Sequence, residues 1–203
     1  MLLKERHILE ESEQWQKTLR TLIQKNMRDQ GVNMQANYRE MWVKFYNKLQ
    51  ESQGDNILCA ILYDINISQQ GKLAVVLKDD SLQKFGEISI LIKKLNNKLP
   101  TPFIFDKNYI LESLDSFPLE FLNMSTDYEI MNNTDNVFSA LTFQKNDVRL
   151  QAERELKGKI MLIRTALLEN FSQKKELMNL IRISFSSLIP VLKGLLFLLN
   201  QPI

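Results

Sequence analysis

Two short, uninterrupted apolar runs constrain this chain more than any other feature: Ile57–Tyr63 and Leu73–Leu77. A strand with one wet face alternates apolar and polar residues, whereas an unbroken run needs apolar cover on both faces. Turn-forming residues bound both runs, with Gln53-Gly54-Asp55 before the first and the polar stretch Asn66–Gly71 between them. The spacing predicts a hairpin of two buried strands at the centre of a sheet.

Helices must supply the cover. Ile8, Trp15, Leu19, Leu22 and Ile23 share one face of a helix running to about residue 30, ended by Gly31-Val32-Asn33. A second helix, from about Met34 to Glu51, carries Tyr38, Met41, Trp42, Phe45 and Leu49 on its stripe. Beyond the hairpin, Asp80 or Ser81 caps a helix of about Leu82 to Asn97, with Phe85, Ile88, Leu91, Ile92 and Leu95 inward. Lys93, Lys94 and Lys98 fall near its end, where the helix dipole favours cations. Pro100 and Pro102 forbid continuation.

Phe103–Phe105 reads as a third strand, and Asp106 caps a short helix ending near Leu114. Phe117–Met124 reads as a fourth strand, with Pro118 near its start, where a missing N–H is tolerable. From Asn146 the pattern is helical, with Asp147 as N-cap and a stripe of Val148, Ala152, Leu156, Ile160, Ile163 and Leu167. Glu153 with Lys157, and Glu155 with Lys159, form i,i+4 pairs in the favourable order. Ser172 opens a last helix bearing Leu177, Leu180, Ile181, Leu188, Leu192, Leu195 and Leu199, kinked at Pro190. The expected class is α/β, at the α+β boundary: a small mixed sheet with flanking helices. Its expected parts are an N-terminal helical segment (1–33), an α/β domain (34–145) and a C-terminal helical hairpin (146–203).

Composition removes several functions. Lys and Arg number 26 and Asp and Glu 24, a net charge of +2, so nucleic acid is not indicated as a partner. His7 is the sole histidine, which excludes histidine-based triads and His-rich metal sites. The sole cysteine, Cys59, sits in an apolar run and reads as a buried small hydrophobe that fits a reducing compartment. The 6 glycines form no phosphate loop. Charged residues follow Met1-Leu2-Leu3 at once, so no secretory leader is read. Leu188–Leu199 contains Lys193 and is shorter than the roughly 20 residues of a membrane span. The expectation is a cytoplasmic protein without a membrane partner. The apolar last helix, ending in Asn200-Gln201-Pro202-Ile203, further suggests that more chain packs on it.

Four stretches then carry a resemblance: the strand pair; Pro102-Phe103-Ile104-Phe105; Leu114-Asp115-Ser116-Phe117-Pro118-Leu119-Glu120-Phe121-Leu122; and the run from Val148 to Lys159 followed by Leu162-Ile163-Arg164. The last two are the more specific, since apolar periodicity does not require their polar identities. Together they resemble the bacterial nucleotidyltransferase-like domain family, within the DNA polymerase beta-like superfamily. Active members place Gly-Ser after the first strand, where backbone N–H groups approach a triphosphate, and Asp-x-Asp at the start of the second. With a third carboxylate on a later strand, those aspartates hold two Mg²⁺ ions.

The corresponding positions here hold Asp64-Ile65, and then Gln70 and Lys72, with Glu120 as the surviving later carboxylate. The resemblance therefore implies a degenerate member: a catalytically inactive module that binds a nucleotide or a protein partner, with no cofactor. Asp64, Gln70, Lys72, Glu120, Arg149 and Arg154 are its nucleotide-binding candidates, and none is assigned a catalytic or metal role. Two other readings stay open. One is an active Mg²⁺-dependent nucleotidyltransferase using Asp64, Glu120 and Asp79. The other is a structural protein that dimerises through its N-terminal helices. Against the site readings stand plainer ones: Asp64 as a turn residue, Asp79-Asp80 as turn and cap, and Arg149 and Arg154 on a solvated helix face.

Overall fold

The computed structural model describes residues 34–95, 98–170 and 187–203. At its centre is the hairpin, β1 (Ile57–Tyr63) antiparallel to β2 (Lys72–Leu77), with Tyr63 opposite Lys72 at the turn end. β3 (Phe103–Asp106) runs parallel to β2, and β4 (Tyr128–Asn133) antiparallel to β1, giving a mixed sheet of order β3-β2-β1-β4. The protein is thus mixed α/β in the α+β sense, as the two apolar runs predict.

Both faces of the hairpin are covered. Ala60, Leu62, Leu73, Val75 and Leu77 pack beneath α1 (Ala36–Gln53) and α2 (Leu82–Lys93), against Trp42, Phe45, Leu49 and Ile88. Cys59, Ile61, Tyr63, Ala74 and Val76 face the other way. They meet Ile110 of α3 (Lys107–Glu112), Phe121 and Met124 of α4 (Pro118–Thr126), and Phe138. A register shift between Ile57 and Cys59 returns Ile57 to the α1 face, so the run stays buried where strict alternation would break. Full burial of side chains this size contributes roughly 1.5–3 kcal/mol each, which makes the hairpin the anchor of the fold.

α5 (Lys145–Asn170) and α6 (Ile189–Leu198) pack on α4 through Leu119, Val148, Ala152 and Val191. Gly194 sits where α6 crosses α4 so closely that a Cβ there would overlap Leu119 Cδ2. The expected pairs Glu153–Lys157 and Glu155–Lys159 are present on α5. Of its predicted stripe, Val148 and Ala152 are buried, whereas Ile160 and Leu167 are exposed.

Three local expectations are corrected. Phe117–Met124 is not a strand: Pro118 occupies the first turn of α4, where its missing N–H costs nothing. The fourth strand is Tyr128–Asn133, an edge strand too polar to stand out. Asp147 lies inside the first turn of α5 rather than capping it. Pro190 does not kink a continuous helix but lies in the first turn of α6. Asp106 does cap α3, accepting from Tyr109 N–H at 2.9 Å. The N-terminal helix with Trp15, the Ser172 cap, and Leu177, Leu180 and Ile181 lie outside the described residues.

Candidate functional site

β1 ends at a residue with left-handed backbone. Asp64 has φ 56°, a conformation that Asp tolerates better than most side chains. Its main-chain oxygen accepts from Ser68 N–H at 2.8 Å and Ile67 N–H at 3.2 Å, closing the turn. Gly71, with φ 60°, then reverses the chain into β2, a geometry that a side chain would strain. This turn folds the Asp64 carboxylate inward, leaving the residue 6% exposed.

Both carboxylate oxygens are occupied. Oδ2 lies 2.8 Å from Lys72 Nζ, and Oδ1 accepts from Asn123 Nδ2 of α4 at 2.8 Å. The Lys72 ammonium also lies 5.8 Å from the centre of the Tyr63 ring, within cation–π range. Burial, with Asp64 alongside, pushes the Tyr63 phenol far above its ordinary range, so it is a neutral wall at any ordinary pH.

α6 brings a second cation to this end of the sheet. Lys193 is buried, and its Nζ donates to Thr126 Oγ1 at 3.4 Å. Burial pushes its pKa down, while Asp64 and Asp127 oppose that shift. Asp127 in turn accepts from Asn66 Nδ2 at 2.8 Å. Two carboxylates and two ammonium groups therefore balance within one cluster. Asn123 Oδ1 is its one buried side-chain oxygen without a hydrogen-bond partner among the described residues.

Sequence reasoning singled out Asp64 and Lys72 but missed Asn123, Thr126 and Asp127. The available signal was Lys193 itself: a lysine inside an apolar helix needs a polar destination. Gln70 contributes its backbone, its carbonyl accepting from Trp42 Nε1 at 2.6 Å.

The other candidates lie elsewhere. Glu120 sits in the first turn of α4, not on a strand, and accepts from Gln151 Nε2 at 2.6 Å. The same glutamine accepts through Oε1 from Leu119 N–H at 2.8 Å, so a buried side chain of α5 caps α4, which has no capping side chain of its own. The two most specific stretches of the resemblance thus meet and satisfy each other. Arg149 is exposed and bonds Glu153 and Asn146 of its own helix. Arg154 lines a groove of about 680 Å³ together with Glu120, Asp115, Asp147 and Glu155. Asp79 accepts from Ser81 N–H at 2.9 Å, the turn role expected of it.

The chemistry follows from this accounting. A divalent cation at the strand ends would have to displace Lys72 from Asp64. An anion there would have to displace Asp64 from Lys72. The α4–α5 groove sets four carboxylates against one guanidinium, a poor field for a triphosphate. Among the described residues, no three His, Cys, Asp or Glu side chains gather as metal ligands, and no helix is long and apolar enough to cross a membrane. No protein-family model matches the chain, and no curated protein or solved structure matches it significantly.

Proposed function

We propose that this chain is a catalytically inactive nucleotidyltransferase-like module that works by binding, and that its ligand is a protein partner rather than a nucleotide. The Asp64–Lys72 ion pair carries the reading. It joins the position after the first strand to the second Asp-x-Asp position, so the two places where the resembled chemistry needs phosphate and metal bind each other. Asn123 consumes the remaining oxygen of Asp64, and Lys193 brings further positive charge. The acidic groove at α4 and α5 supports the preference for a protein over a triphosphate.

The test is a thermal-shift series with ATP, GTP, CTP and UTP, each with and without Mg²⁺. A ligand that binds only the native state raises Tm by mass action. No shift is expected with any of the four. A shift that needs Mg²⁺, accompanied by pyrophosphate release, would return the protein to the active enzymes. A shift independent of Mg²⁺ would make the nucleotide its ligand and displace the protein-partner preference.

A further inference from the structure

On the face of the sheet opposite α4, the helices α1 and α2 leave a cleft between them. Its floor is apolar, built from Met41, Phe45, Leu91 and Leu95, and lysines 44, 48, 94 and 98 stand around it. All four lysines are exposed. Among the described residues the nearest carboxylate to Lys44 is Glu40, at 4.0 Å, and Lys48, Lys94 and Lys98 have no ion-pair partner.

Helix stability does not account for this ring. Lys44 and Lys48 are like charges one turn apart in the middle of α1, an arrangement that costs a helix a few tenths of a kcal/mol. Only the lysines at the end of α2 gain from its dipole. Two helices thus converge their positive charge on one apolar floor.

We propose that this cleft docks an acidic protein segment that inserts one large apolar side chain between α1 and α2 while its carboxylates meet the four lysines. Size and shape select this occupant. The cleft holds about 150 Å³, a volume of the order that accommodates a benzene ring, and falls below the roughly 300 Å³ at which small-molecule pockets begin. It takes a phenylalanine or leucine side chain and not a nucleotide. The apolar floor is recessed below the lysines, whereas a membrane surface is entered by side chains that protrude. No aromatic face is offered for base stacking, since Phe45 is only 4% exposed. An apolar anchor in a pocket within a rim of complementary charge is the ordinary anatomy of a protein interface.

This inference rests on the binding reading above, and the two fail separately. Magnesium-dependent turnover of an NTP would remove that reading and leave the cleft. Peptide binding indifferent to the lysines would remove the cleft and leave that reading.

The experiment is a fluorescence-anisotropy titration of the full chain into a fluorescein-labelled peptide of glutamates flanking a central Leu-Phe pair. Saturable binding is expected, weakened roughly tenfold as salt rises from about 50 to about 300 mM, because exposed charges are screened. The Lys48→Glu/Lys98→Glu variant should bind at least about tenfold more weakly while keeping the wild-type melting temperature, both side chains being exposed. An all-glutamate peptide without the apolar pair should bind more weakly than the probe. The proposal is overturned if the probe does not bind, if the variant binds it as wild type does, or if the all-glutamate peptide binds equally well. Tighter, lysine-dependent binding of oligothymidylate or of phosphatidylglycerol vesicles would overturn it too, assigning the surface to nucleic acid or membrane.

Discussion

Asp64 and Lys72 clasp the turn end of the β1–β2 hairpin, carboxylate to ammonium at 2.8 Å, one residue beyond the last strand position of β1 and at the first of β2. Their environments are unequal. The Asp64 side chain is 8% exposed and that of Lys72 is 45% exposed. A charge that can reach water survives the loss of its partner better than one that cannot.

Lys72→Met should therefore cost more stability than Asp64→Asn. The first strands a buried carboxylate and should lose roughly 2 kcal/mol, discounted for the exposure of the lysine. The second leaves a lysine that can solvate itself and places Asn where left-handed backbone is tolerated, for a loss under about 1 kcal/mol. Chemical denaturation of both variants checks the order, and the reverse order would show that the pair is held together for Lys72.

Lys193 should be replaceable at a gain. It is buried with a single long hydrogen bond and no carboxylate within 4.0 Å among the described residues. Lys193→Met keeps the stem and removes the desolvated charge, so stability should rise by about 1 kcal/mol. A fall in Tm instead would make the attraction of Asp64 and Asp127 the larger effect.

The α4–α6 crossing predicts a coupled pair. Gly194→Ala pushes a methyl group into Leu119, which is buried against Val148 and cannot swing away, and should cost about 1–3 kcal/mol. Leu119→Ala alone opens a cavity and should cost about 2–5 kcal/mol. The double variant should lose less than the sum, a coupling measurable in a double-mutant cycle. Strict additivity would mean that the helices move apart to accommodate the methyl.

Gln151→Ala should cost about 1–2 kcal/mol, because it removes the cap on Leu119 N–H and the donor to Glu120 together. Gln151→Glu should be worse than a conservative swap normally is, since it sets a second carboxylate against Glu120. Equal stability of Gln151→Glu and wild type would refute the Gln151–Glu120 contact, and equal stability of Gln151→Ala and wild type would refute the cap.

Cys59 should be inert to thiol reagents until the protein unfolds. Burial pushes its thiol up to about 11, from an ordinary 9.0. With the folded pKa the higher, the neutral thiol contributes stability that is fully present below pH 9 and lost as pH rises toward about 11. The buried Tyr63 phenol acts in the same direction above its ordinary 10.0. Lys193 acts oppositely, its penalty easing as pH approaches 10.5 from below, so the fall should be steeper in Lys193→Met. Denaturation at pH 8 and at pH 10.5, with and without Cys59→Ala, separates these contributions, and rapid labelling of native Cys59 would contradict its burial.

The two apolar runs by themselves determined the sheet centre, because a seven-residue stretch without alternation can be satisfied only by cover on both faces. Trp42, Phe45 and Leu49 on one helix, and Ile88 on another, were legible as that cover from their spacing alone. Phe117–Met124 was not legible, since Pro118 suits the start of a strand or of a helix equally, and only the packing of Leu119 against Val148 and Val191 selects the helix. The candidate site divides in the same way. Asp64 and Lys72 were legible in sequence as polar residues bounding the turn between the two apolar runs. That they bind each other is decided by the turn that folds Asp64 inward, and that Asn123 bonds Asp64 from α4 while α6 brings Lys193 to Thr126 at the same end is decided by contacts between residues far apart in the chain, which no local pattern encodes.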